Sequence, residues 1–161
     1  MKYYLQSGIV LMASVLGAAT ATGHADHDPA PHRKSHIREA ILSRFFRESH
    51  CPVESYAAAF IMEADAHHLD WRLLPSLAFI ESGGGQKNHR NNIFGWDNGS
   101  RRFSSATEAI HHVARALAES RPYRGKDLAG ILAAYNPSPG YRRVVTAVME
   151  RISPVAVGET F

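Results

Sequence analysis

The sequence predicts a mainly α fold of about six helices, with a small irregular or β-hairpin insertion after the third. Three observations carry this. Apolar residues recur at i, i+3, i+4 and i+7 in successive segments of the second half of the chain, each the signature of one buried helix face. Capping residues stand at the starts of several of these segments. One stretch, Ser82 to Phe103, breaks the pattern with five glycines, four asparagines and scattered aromatics.

The first segment reads as a secretory signal peptide: Lys2, an apolar run from Gly8 to Ala19, then small residues with a cleavage site after Ala21 or, more weakly, after Ala25. The apolar run is shorter than the ~20 residues of a spanning helix. Export to the periplasm or medium is therefore expected, with no membrane attachment after cleavage. Residues 22–34 hold His24, His27, His32, two prolines and two aspartates without an apolar period, and are expected to be a flexible mature N-terminus.

The expected folded domain spans residues 35–153, with a tail at 154–161. Ser35 is placed to cap a first helix carrying Ile37, Ile41 and Phe45, supported by Leu42 and Phe46. Cys51-Pro52 breaks the chain. A second helix from about Val53 to His67 presents Tyr56, Phe60 and Ala64. Asp70 caps a third, whose regular part is delayed beyond Trp71 because Pro75 lacks a backbone donor. In the insertion, a hairpin over Ile93–Phe103 would turn at Asn98-Gly99. Ser105-Ala-Thr-Glu108 is a capping box, and Ile110, Val113, Ala114 and Leu117 follow it as a stripe. Leu128, Ile131, Leu132 and Tyr135 form the next, and Tyr141, Val144, Val145, Val148 and Ile152 the last.

Composition bounds the function. Charged residues at 20% and hydrophobic ones at 45% describe a globular chain, and a net charge of +3 without a basic arm gives no case for nucleic acid. Cys51 is the single cysteine, so no intramolecular disulfide forms, and a small side chain between two helices is its expected role. The adjacent pairs His67-His68 and His111-His112 point to different helix faces and make no i, i+4 metal clamp. Neither a metal nor a cofactor is expected, and the chain is expected to be monomeric.

The chemistry concentrates at "LLPSLAFIESGGG". Leu74, Leu77, Ala78 and Glu81 share one helix face, and the glycines after Ser82 end the helix. Apolar neighbours and the negative end of a helix both favour the uncharged form of a carboxyl group, which suits Glu81 to general acid work. A loop of amides and aromatics follows directly, as a sugar-binding cleft would require.

These residues resemble the glucosaminidase branch of the lysozyme-like superfamily, glycoside hydrolase family 73, and the wider group of lytic transglycosylases. The resemblance covers about Pro52 to Ile152. It rests on Glu81-Ser82-Gly83, Asn91-Asn92-Ile93-Phe94-Gly95-Trp96, Phe103 with Glu108-Ala109-Ile110, and Tyr135-Asn136-Pro137 with Tyr141. It implies a lysozyme-like fold, peptidoglycan glycan strands as partner, and cleavage of β-1,4 bonds between N-acetylated amino sugars. It implies Glu81 as general acid and Tyr135 as a cleft residue that orients substrate or steadies charge. Ser82, Asn92, Phe94, Gly95, Trp96 and Asn136 would then shape the substrate site.

Alternatives stay open at several points. Tyr135 also completes its helix stripe, and Trp96 reads equally as a stacking platform or as core. Glycosidases use two carboxylates, and Asp97 is the candidate for the second. Without it, the substrate's N-acetyl group would assist, or the muramic 6-hydroxyl would attack and leave an anhydro end. A non-catalytic wall-binding module is the rival from another class, distinguished by sacculus binding without release of muropeptides.

Overall fold

The computed structural model describes residues 29–87 and 89–154. The signal-peptide reading, the N-terminal residues through 28 and the tail from 155 lie outside the described residues. Among the described residues six α-helices run in chain order: α1 Pro29–Glu48, α2 Ala57–Ala66, α3 Leu73–Ser82, α4 Ala106–Glu119, α5 Leu128–Tyr135 and α6 Tyr141–Ile152. A 3₁₀ turn, Pro52–Tyr56, leads into α2. Among the described residues no strand forms and no helix is long and apolar enough to cross a membrane. The fold is mainly α, as the periodicity predicts.

α1 starts six residues before Ser35, at Pro29. Proline fixes φ at a helical value, and its missing N–H is one that a first helical turn leaves unbonded anyway, so Pro29 and Pro31 suit a helix start. Residues 29–34 are thus helical, not a continuation of an irregular arm. Ile37 is 55% exposed, and the buried face of α1 is Leu42, Phe45 and Phe46 instead. In α6, Val144 is exposed and Met149 takes its place inside, beside Val145, Val148 and Ile152.

α3 is the axis of the molecule. Residues 71–78 are all buried, so its first two turns are enclosed on every side, which is why the segment is apolar all round. α2 and α4 pack on it from one direction, and α6 from another. α1 lies across α2 and α6, and α5 packs on α6. The helix begins at Leu73, past Trp71 as expected, with Pro75 in its first turn. The N-cap is Arg72 with no side-chain cap bond, so Asp70 is not the expected cap but an anchor just ahead of the helix. Its Oδ1 accepts the Arg72 backbone N–H at 2.9 Å, and its carboxylate pairs with the buried Arg72 guanidinium at 2.9 and 2.5 Å. Arg72 Nη1 also donates to the Ser153 carbonyl at 2.8 Å, which ties the end of α6 to the start of α3.

α3 ends where the glycines require. Gly83 caps it in the left-handed region (φ +63, ψ +39), where a residue without Cβ is unstrained. Gly84 follows at φ +61 and lies flat on Cys51: a Cβ at Gly84 would stand 2.4 Å from Cys51 Sγ. Cys51 is therefore buried packing between the α1–α2 corner and the end of α3, and burial pushes its thiol above the usual range, away from thiolate reactivity.

Candidate active site

Glu81 sits where α3 emerges from its sheath. Leu74, Leu77 and Ala78 on the same face are fully buried, whereas Glu81 is half-buried in the final turn. Its carboxylate opens into a cleft of ≈ 580 Å³. The insertion forms one wall, with Phe94, Gly95, Trp96, Asp97, Asn98 and Arg101, and Tyr123, Tyr135 and Asn136 form the other.

The insertion is not a hairpin. Its ends are drawn together by Phe103 N–H on the Arg90 carbonyl at 3.0 Å and by the Asn91 amide on the carbonyls of Phe103 and Ser104, both at 3.1 Å. Ile93 and Phe94 are buried between these ties, Phe94 with its ring 6.3 Å from Phe60. Burying two such side chains contributes on the order of 3–6 kcal/mol, enough to fix a loop that has no ladder of its own. The tight turn falls one residue earlier than expected: Asp97 and Asn98 both have positive φ (56 and 52), and Gly99 N–H bonds to the Trp96 carbonyl at 3.2 Å. Two positive φ values at the centre make this a I′-like turn, which short polar residues tolerate.

The decisive partner of Glu81 is one to which the sequence assigns no site role. Tyr141, in the first turn of α6, donates its hydroxyl to Glu81 Oε1 at 2.6 Å. Burial, and next the Glu81 hydrogen bond, push the Tyr141 phenol far above its ordinary range, so it stays a donor at any working pH. Oε1 is thereby occupied. Oε2 faces Gly95, where a Cβ would come within 3.4 Å of it. Gly95 also has φ +60, so the position favours glycine for its backbone as well as for the space it leaves over the carboxylate.

The other sequence-derived residues divide. Tyr135 lines the cleft, but its hydroxyl donates to the Phe94 carbonyl at 2.8 Å, and its ring lies nearly parallel to Tyr141, centroids 6.1 Å apart. It holds the loop, and burial keeps its phenol protonated. Trp96 is half-buried and satisfies both readings: it packs 5.8 Å from His112 and 6.0 Å from Tyr135 while still lining the cleft. Phe94, Gly95 and Asn136 also line it. Asp97 stands exposed on the rim, its Oδ2 accepting from Ser100 Oγ at 2.8 Å.

Ser82 and Asn92 do not reach the cleft. Ser82 is buried, its hydroxyl donating to the Ala78 carbonyl at 3.0 Å and accepting from Gly85 N–H at 2.9 Å. Asn92 is buried too, and its amide closes the loop from within by bonding both the N–H and the carbonyl of Trp96, at 2.8 and 2.9 Å. Short amide and hydroxyl side chains commonly bond to nearby backbone in this way.

Tyr123, Asn98 and Arg101 join the cleft without a signal in their local pattern, although Arg101-Arg102 stands out as a basic pair. Arg101 lies over the Phe103 ring, 5.7 Å from its centroid. The capping box forms with a shift: Ser105 Oγ accepts from Glu108 N–H at 3.0 Å, but the Glu108 carboxylate reaches Ser104 N–H. That bonding, from the Ser104 side chain and backbone, holds Glu108 below the usual carboxylate range. Glu108 therefore serves the helix end, as the sequence indicates.

Among the described residues, the cleft lining contains no histidine or cysteine. Compared with family models, curated proteins and solved structures, the chain matches none.

Proposed function

We propose that the protein is a peptidoglycan glycosidase that cleaves β-1,4 bonds between N-acetylated amino sugars, with Glu81 as the general acid. The observation that carries this is the asymmetry of the Glu81 carboxylate. Tyr141 holds Oε1, and Oε2 lies beside Gly95, itself one of the cleft-lining residues. As general acid, Glu81 would deliver its proton to the glycosidic oxygen from Oε2. Once it has left, the Tyr141 hydroxyl steadies the carboxylate that remains.

The cleft walls suit a chain of amino sugars. Trp96 and Tyr123 offer ring faces and edges, and Asn98 and Asn136 offer amides for hydroxyl and N-acetyl groups. Arg101 supplies a positive charge toward the acidic groups of a wall polymer.

A second reading, a lytic transglycosylase leaving anhydro-muramic ends, is favoured by one observation. Glu81 is half-buried, and the other carboxylate of the cleft, Asp97, is exposed on its rim and bonded by Ser100. A substrate hydroxyl would then attack, with Glu81 acting first as acid and next as base.

The test is Glu81→Gln assayed on purified sacculi. Muropeptide release is expected to fall by about 10²-fold or more. Equal release by parent and variant would refute the assignment, and sacculus pelleting without release by the parent would point to a binding module. Reducing ends against anhydro ends in the products decide between hydrolysis and transglycosylation.

A further inference from the structure

A second cluster lies away from the cleft lining, between α2 and α4. Glu63 lies on α2, His67 stands four residues on as the C-cap of that helix, and His111 comes from α4. His111 Nδ1 stands 3.0 Å from Glu63 Oε2, and His67 Nε2 stands 3.6 Å from the same oxygen. One donor atom from each residue falls within 4.8 Å of the other two. The i, i+4 relation that the paired histidines lack is supplied by Glu63 and His67, and the third residue arrives through the packing of α4 on α2.

We propose that Glu63, His67 and His111 bind a divalent transition-metal ion of the zinc class. Two imidazoles and one carboxylate form a donor set suited to zinc, whereas magnesium and calcium require oxygen ligands. Ligands around a tetrahedral zinc lie about 3.3 Å from one another, given bonds of about 2.0–2.1 Å. The observed separations need only small side-chain rotations to reach that value.

The surroundings fit as well. His67 and Glu63 side chains are 14% and 21% exposed, so two ligands are shielded, while His111 at 53% leaves an entry path. His67 Nδ1 lies 3.7 Å from Glu119 Oε1. That is beyond hydrogen-bond distance, but a small rotation would bring the carboxylate onto the second ring nitrogen and leave Nε2 to coordinate, an arrangement that recurs behind metal-bound histidines. The ion would cross-link α2 to α4 beside His112, whose ring packs on Trp96.

Zinc sulfate titrated into the metal-stripped full chain tests this by calorimetry. The background carries His24→Ala, His27→Ala and His32→Ala, so that the N-terminal imidazoles do not contribute. One zinc per chain is expected, with the affinity reduced roughly a hundredfold or more in His111→Ala and about 10- to 100-fold in Glu119→Gln. His68→Ala, at an exposed neighbour outside the cluster, should bind as the background does. The thermal midpoint should rise by several degrees at about a hundredfold excess of zinc over its Kd, but not in His111→Ala. Cobalt should give a tetrahedral visible spectrum that His111→Gln abolishes. Saturable binding unchanged in His67→Ala and His111→Ala, or no binding on this background, would overturn the proposal. Glu81→Gln should bind zinc as the background does, which separates this site from the proposed activity.

Discussion

Tyr141 and Glu81 are sixty residues apart in the chain and 2.6 Å apart in space, hydroxyl to carboxylate oxygen. The bond joins the first turn of α6 to the last turn of α3 and determines which carboxylate oxygen is free. Tyr141→Phe keeps the ring and removes this donor. A hydrogen bond to a charged group contributes about 1.5–3 kcal/mol, so muropeptide release should fall roughly 10- to 150-fold with little change in thermal midpoint. An unchanged rate would remove Tyr141 from the mechanism.

Gly95→Ala should damage the same site from the opposite wall. The new methyl would sit 3.4 Å from Glu81 Oε2, and its φ of +60 costs a non-glycine residue about 1–2 kcal/mol. Stability should drop by that amount in urea denaturation. Muropeptide release should drop further than the folded fraction accounts for, and a loss that merely tracks folding would assign Gly95 to the backbone alone.

Asp70→Ala leaves the Arg72 guanidinium buried without its carboxylate partner. The two side chains are 15% and 7% exposed, so Arg72 is buried and Asp70 partly so, and breaking the pair should destabilise the fold by about 1–3 kcal/mol. Denaturant midpoints measure this directly. A change below about 1 kcal/mol would mean that the remaining partners of Arg72, the Ser153 carbonyl among them, suffice.

His112 predicts a pH dependence. Burial, followed by the charges of Arg101 and Arg115, lowers its pKa from the usual 6.5, so the folded state favours the neutral ring. The unfolded chain takes up the proton more readily. The contribution of this site to stability is therefore complete above pH 6.5 and is lost as the pH falls through the lowered folded value. Thermal midpoints should decline from pH 7 toward pH 5, and His112→Gln should make that decline shallower. Parallel curves would exclude His112 as its source.

How much of this was legible in the sequence depends on how local each signal is. The start of α4 is readable because the Ser105 cap, Glu108 and the Ile110–Leu117 stripe are all local to one helix. α3 is readable as a helix but not as an axis: a periodic pattern finds one apolar face, while residues 71–78 are buried on all sides. The end of α3 and the position of Glu81 follow from Ser82 and the glycines, whose φ preferences are intrinsic. The direction of Ser82 and Asn92 does not, because a short polar side chain satisfies its own backbone as readily as a ligand. Tyr141 is the furthest from reach: its stripe position is local, but its hydroxyl meets Glu81 only when α6 closes on α3. The same holds for His111, which reaches His67 through the packing of two helices.

The insertion is pinned at its neck by Arg90, Asn91 and Phe103, in its middle by Phe94 and Tyr135, and from within by Asn92. Such a loop has little conformational freedom left to surrender. A ligand entering the cleft meets a wall already in place and pays no ordering entropy for it. Recognition then depends on shape: a ligand that matches the standing contour of the cleft binds without first ordering this wall, and one that does not match is turned away.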